Sequence, residues 1–293
     1  MQQTSQRRAE RPAEPALFAG LVDDAAVFPP GNAPLEEALR RHRMHRASPY
    51  AACVGPLLVP ASAAGDLVRL LAGDPLRVGV IGRPGTPAEE VVAAASRLRD
   101  AGSAVAGIEA AWTPDWREGA LAARRSGEDQ PSVSLEVPRG PEQAGALADI
   151  ARDASDSARL QAKFRTGATP TWAWPDEVEL ATFIRATIDH DLGFKLTGGL
   201  HHLVRCSVDD PDQPEHHGLL NVLTAVRWAL NGEDVDDLVP LLAERDVSAV
   251  LPHITRMSAA DAAIVRAFFT AYGCCEVTDP LAELTALGLI EGS

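Results

Sequence analysis

Gln161-Ala-Lys163-Phe-Arg165-Thr-Gly167 and Gly193-Phe-Lys195-Leu-Thr197-Gly198-Gly199 decide the fold. In each, polar and apolar residues alternate, the period-two pattern of a strand with two unlike faces. Gln161, Lys163 and Arg165 share one face, and Ala162 and Phe164 take the other. Lys195 and Thr197 likewise oppose Phe194 and Leu196. Between the two strands, Asp176–Asp189 reads as a helix with Pro175 as its opening signal. Strand, helix and strand in this order make a parallel crossover unit. In a barrel the apolar face packs outward against helices, so the polar residues point inward.

The same rhythm extends in both directions. Strands are expected at Leu17–Leu21, Ala51–Val59, Leu76–Ile81, Val105–Ala110, Ser132–Val137 and Gly273–Val277. Helices are expected at Pro34–Arg46, Ala61–Leu71, Pro87–Arg99, near Arg117–Arg125, at Pro141–Arg152, Glu215–Leu230, Val235–Glu244, Ser258–Ala271 and Pro280–Leu289. About eight βα units in this length match an α/β (β/α)8 TIM-type barrel, with extra helices in the C-terminal third. No glycine-rich dinucleotide fingerprint follows the first strands, which counts against an open doubly wound sheet. Pro211–Met257 has no assigned strand. The domain reading is a flexible polar arm over 1–15 and one (β/α)8-like catalytic domain over 16–293.

Hydrophobic residues make up 46% of the 293, enough for a large core, and the formal net charge is −14. That charge argues against nucleic acid as a partner, which needs a basic face. No apolar run reaches the roughly 18 residues that span a bilayer, and the N-terminus lacks a signal peptide's apolar core. The expectation is a cytoplasmic protein with no membrane partner; a homo-oligomer is left open. Cys53, Cys206, Cys274 and Cys275 contain no C-x-x-C pair and are expected to be thiols.

Lysine usage is the most informative count. Of 27 lysines plus arginines only two, Lys163 and Lys195, are lysines. In an arginine-rich chain these mark positions where arginine will not serve. Arginine cannot lose its proton at working pH; lysine can, and can then attack a carbonyl. Both lysines fall near the C-terminal ends of consecutive strands, where barrel active sites form. Adjacent strands lie about 4.8 Å apart, so like-charge repulsion and desolvation are expected to lower at least one lysine pKa. The competing reading is two lysines paired with buried carboxylates in support of the fold.

Ala162-Lys-Phe-Arg-Thr-Gly167, a helical interval, then Gly193-Phe-Lys-Leu-Thr-Gly-Gly199 resembles the last part of class I aldolases of the deoxyribose-phosphate aldolase type. There a V-K-T-S-T-G-like strand carries the Schiff-base lysine, and a V-K-A-S-G-G-like strand carries a second lysine before a phosphate-binding loop. The resemblance implies that Lys163 is the Schiff-base lysine, that Lys195 lowers its pKa, and that Gly198 and Gly199 border an anion site. Arg165 stands where the family has a small residue, His201 and His202 follow the glycine pair, and the family's catalytic aspartate has no clear counterpart. The substrate therefore need not be a sugar phosphate.

Glu109 and Glu136 are each the sole charge in an apolar strand and are candidates to move protons or to pair with the lysines. Asp23 and Asp24 lie in the apolar stretch Val22–Asn32, which is expected to fold over the barrel mouth; they are candidates for substrate binding, or for capping the next turn. Thr197, Gly198, Gly199, His201, His202 and the bidentate donors Arg165 and Arg205 complete the candidate substrate-binding set. Trp172 and Trp174 either wall the pocket or pack on the neighbouring helix.

The leading expectation is an aldolase-like lyase that forms a lysine Schiff base with a small anionic carbonyl metabolite. Lys163, Lys195, Glu136 and Glu109 are its catalytic residues, with no cofactor required and no metal ligand assigned. A second reading keeps the lysines charged to stabilise an enolate or carboxylate in an isomerase, decarboxylase or hydrolase. That reading has room for a divalent metal near His201, His216 or His253 with Asp23 or Glu136, although no established ligand motif is present. A third is a non-catalytic barrel that binds a small anion.

Overall fold

Eight parallel strands hydrogen-bond in a closed ring in the computed structural model, which describes residues 14–118, 131–154, 159–169, 172–208 and 215–291. The strands are β1 (Val22–Asp24), β2 (Val54–Pro60), β3 (Arg77–Ile81), β4 (Ala104–Ala111), β5 (Ser132–Glu136), β6 (Leu160–Arg165), β7 (Phe194–Thr197) and, past a small β8–β9 hairpin (Cys206–Ser207 and Glu215–His216), β10 (Phe269–Cys274). The barrel order is β1-β10-β7-β6-β5-β4-β3-β2, so β10 closes the ring between β7 and β1. The chain is a (β/α)8 TIM-type barrel.

Outward residues of the strands pack under helices α2 (Leu35–Arg46), α3 (Ala64–Leu71), α4 (Ala88–Asp100), α5 (Gln143–Ala154) and α6 (Glu177–Asp189). Burying these apolar faces supplies the main driving force for closure. Around the lysine strands the outer face is aromatic. Phe164 stacks on Phe183 of α6 with ring centroids 4.7 Å apart, Phe183 meets Phe194 edge-on at 5.3 Å, and Phe194 stacks on Phe269 at 5.4 Å. With Phe164 and Phe194 turned out, Lys163 and Lys195 turn in. Asp176 caps α6 with a reciprocal capping box to Glu179, setting the helix start that Pro175 foretells.

Three expectations change. Leu17–Leu21 is not a strand: Glu14–Phe18 forms a short helix, α1, and Gly20 at φ +57° turns the chain into β1. Leu17 and Phe18 are buried all the same, so an apolar run that reads as a strand meets its need for burial from a helical turn. Of the flexible arm 1–15, residues 1–13 lie outside the described residues, while Glu14 and Pro15 begin α1. The closing strand starts at Phe269 rather than Gly273, because Ser258–Ala271 divides into α10 (Ala259–Phe268) and the beginning of β10. Its aromatic residues serve helix and strand equally well, and only pairing with β1 and β7 decides.

Most of the unassigned segment 211–257 is helical shell. After β9 come α7 (Leu219–Leu230), α8 (Val235–Ala243) and α9 (Val247–Thr255). The helix expected from Glu215 begins instead at Leu219 with Gly218 as N-cap. The short helix expected near Arg117–Arg125 falls largely outside the described residues. Helix α11 (Thr278–Ala286) ends the fold. Among the described residues no helix is long and apolar enough to cross a membrane.

Candidate active site

Lys163 and Lys195 are direct register partners on β6 and β7. Both are buried, and carboxylates from three other strands stand among them. Lys163 Nζ lies 2.7 Å from Glu109 Oε2 and 3.0 Å from Glu136 Oε2. Lys195 Nζ bonds the other oxygen of Glu109 and Oδ2 of Asp23. Arg165 Nε lies 2.9 Å from Glu136 Oε1. Asp23, Lys195, Glu109, Lys163, Glu136 and Arg165 thus form one line of alternating charge across the barrel interior. Three carboxylates balance three cations, which is how a buried set of ions avoids the full cost of desolvation.

Electrostatics follow from this geometry. Burial pushes the Glu109 carboxyl up, but the two ammonium groups outweigh it and bring the pKa down to about 2. Burial likewise opposes Lys163 and Arg165 at Glu136, and again the cations win, at about 2. For Lys195, burial works against the ammonium, yet Asp23 and Glu109 hold its pKa above the ordinary lysine value. Repulsion between the lysines is therefore not what sets Lys195: the carboxylates interposed between and beside the two lysines raise its pKa. Asp23 moves upward, because its desolvation exceeds the pull of Lys195. Its Oδ1 has no hydrogen-bond partner among the described residues, and a Cβ at Gly55 would collide with it.

The site has an open side and a closed side. The Glu136 and Arg165 side chains are 27% and 35% exposed, against 5% and 6% for the two lysines. Val22–Asp24, expected to belong to a loop over the mouth, is instead strand β1 of the barrel, and it is the residues after it, Ala25 and Phe28, that pack on Leu58 and Ile81. Toward the N-terminal ends of the strands, small residues (Gly79, Gly107, Ser132 and Ser134) leave a polar cavity of about 310 Å³ that reaches Lys195 and Glu109. Gln161 spans its wall, donating to Ser134 Oγ at 2.8 Å and accepting from Thr270 Oγ1 at 2.7 Å.

The remaining candidates divide. Thr197 ends β7 beside Arg165 in register, and Gly198 and Gly199 follow at φ +73° and +91°, a conformation that favours glycine. A Cβ on either Gly198 or Gly167 would come within 3.5 Å of the other's backbone, and the space at Gly199 is filled by the Trp174 ring. Trp174 therefore braces the glycine turn, while Trp172 lies under Arg139 with the guanidinium 5.3 Å from its ring centroid. Asp24 points away from the lysines: Oδ2 lies 3.0 Å from Nδ1 of His42 on α2, and Oδ1 accepts from the Ala26 N–H. Arg205 is buried with Glu177 at 2.6 Å and His217 at 3.1 Å. Burial, with Arg205 adding to it, holds His217 down to about 4.

The histidines of the metal reading face separate partners. His201 bonds Asp279, His202 bonds Glu283, His216 approaches the Gly199 carbonyl, and His253 meets the Trp228 ring edge-on. Among the described residues no three His, Cys, Asp or Glu side chains group as metal ligands. Sequence reasoning missed His42, whose position on an amphipathic helix carried no sign that it would meet Asp24, and the contact of His201 with Cys275. No protein-family model matches this chain, and no curated protein is similar enough to be matched to it.

Proposed function

We propose that this barrel is an aldolase-like lyase that forms a Schiff base between Lys163 and a small anionic carbonyl compound. The observation that carries the reading is the pair of register-matched lysines sharing one carboxylate, with only Lys163 beside the open Glu136–Arg165 edge. Lys195, clasped by Asp23 and Glu109, stays an ammonium and acts as a fixed positive charge.

Arg165 takes the anionic end of the substrate. In doing so it loosens from Glu136, whose carboxyl then regains basicity and accepts a proton from Lys163. The neutral amine attacks the carbonyl carbon, and the proton held by Glu136 returns to the carbinolamine hydroxyl as water departs. Glu136, a carboxylate again, takes the β-hydroxyl proton as the scissile C–C electron pair moves into the iminium; a carbonyl fragment leaves and an enamine remains. Glu136 returns that proton to the enamine carbon, and water hydrolyses the new iminium, releasing the second carbonyl product and restoring the amine.

Intact-protein mass after borohydride reduction with a panel of small aldehydes and ketoacids tests this reading. An adduct lost in Lys163→Arg but retained in Lys195→Arg supports it. A folded wild type with no adduct from any compound overturns it. The raised pKa of Lys195 favours one second reading, in which both lysines stay charged and stabilise an enolate or carboxylate. Exchange of the substrate's α-proton into solvent deuterium without any trapped adduct would identify that case.

A further inference from the structure

Outside the lysine line, two neighbouring strand ends bring a thiol, an imidazole and a carboxylate into a row. Cys275 directly follows β10, His201 lies four residues beyond the end of β7, and Asp279 sits in the first turn of α11. Cys275 Sγ is 3.3 Å from His201 Nε2, and His201 Nδ1 is 2.9 Å from Asp279 Oδ2. With Asp279 accepting from Nδ1–H, the lone pair of Nε2 faces the thiol, the tautomer that a general base requires. The adjacent Cys274 is spoken for: it is buried and donates to the Glu276 carbonyl at 3.1 Å. The backbone N–H groups of Gly31 and of Cys275 itself face the Cys275 sulfur and favour negative charge there. A side chain at Gly31 would press on Cys275 Cβ at 3.1 Å, so the glycine keeps that approach close.

We propose that Cys275, His201 and Asp279 form a second nucleophilic centre at the barrel rim, which accepts an acyl group from a small ester or thioester. The thiol proton passes to His201 Nε2 as sulfur bonds the carbonyl carbon. The tetrahedral oxyanion collapses and expels the alkoxide or thiolate, which takes that proton from Nε2. Water, activated by the same imidazole, then releases the carboxylic acid and restores the thiol. Asp279 orients the ring and balances the imidazolium. Burial raises the Cys275 pKa, with the two N–H groups opposing it, so the group rests as a thiol and ionises only as it reacts.

p-Nitrophenyl acetate is the probe, read by the nitrophenolate burst and by peptide mapping of the acetyl group. The expected result is one acetyl per chain on Cys275, no burst in Cys275→Ala, and acylation slowed about 100-fold with a changed pH profile in His201→Gln. Asp279→Asn should slow it by about tenfold. An acetyl on any other residue, or an unchanged rate and pH profile in folded His201→Gln, overturns the proposal. Should Cys275→Ala fail to fold, mapping of the wild type alone decides. The readout is acylation of sulfur, so its outcome is independent of the lysine adduct.

Discussion

Lys163 and Lys195 stand opposite one another on adjacent strands, and a single carboxylate, Glu109, bonds both. Two ammonium groups at that spacing repel, and the shared anion offsets that repulsion by attracting both. Removing it should therefore cost more than removing a surface ion pair. Glu109→Gln is expected to lose about 3–5 kcal/mol of stability, the usual range when one partner of a buried pair is lost. Urea unfolding of wild type and variant measures it; a loss below about 1 kcal/mol would show that the bridge does not hold in solution.

Acid should weaken the same network. Glu109 and Glu136 titrate at about 2 in the folded chain, below the ordinary 4.5. A depressed carboxylate stabilises the fold fully above its unfolded pKa and loses that contribution as pH falls through the folded one. Stability is thus expected to drop between about pH 4.5 and 2, by on the order of 3 kcal/mol for the fully buried Glu109. The raised pKa of Lys195 works at the other end: its contribution holds below about pH 10.5 and fades only under stronger alkali. Unfolding free energies at pH 6 and pH 3 check the acid limb, and Glu109→Gln should flatten it.

Asp24 separates fold from chemistry. Its carboxylate is buried against His42, away from the lysines. Loss of its partner in His42→Ala should cost about 2–4 kcal/mol, because a buried polar group is left unpaired. The lysine adduct should persist in that variant at unchanged yield. A stable variant with a lost adduct would return Asp24 to the substrate site.

Arg165 is the most exposed cation of the line, and the proposed function assigns it the substrate's anionic end. Arg165→Gln should reduce trapping of ketoacids by about 10–100-fold and leave neutral aldehydes nearly unaffected, since a charge-assisted bidentate contact is lost only for the former. Equal loss for both classes would mean that Arg165 serves the network and not the substrate.

Gly199 combines φ +91° with a Trp174 ring packed against its Cα. Gly199→Ala should destabilise by about 2 kcal/mol or more, from the left-handed backbone and the displaced indole together. A shift in tryptophan fluorescence should accompany the loss; unchanged emission and stability would contradict the packing.

The barrel was legible because its signal is local. Period-two alternation at 161–165 and 194–197, with helical periodicity between, needs no knowledge of distant residues, and both strands lie where expected. The two ends of the chain were not, since Leu17-Phe18 and Phe268-Phe269 satisfy helix and strand alike until a neighbour selects one. Among the candidate site residues, the lysines stood out by their scarcity and Glu109 and Glu136 by their isolation in apolar strands, and the structure brings the four together. Arg205 and His202 carried plausible chemistry in sequence, yet Glu177 and Glu283 take them up.

By itself, then, the sequence determined which residues face inward, because side-chain alternation along a strand is a property of the strand alone. Only the tertiary structure decided who meets whom. Barrel closure brings Asp23 and Glu109 to Lys195 across 172 and 86 residues of chain, and it carries His201 to Cys275 and Asp279. The sign of the pKa shift at Lys195 rests on those meetings. Repulsion between lysines can be read from two adjacent strands, but the carboxylates that overcome it arrive from elsewhere in the ring.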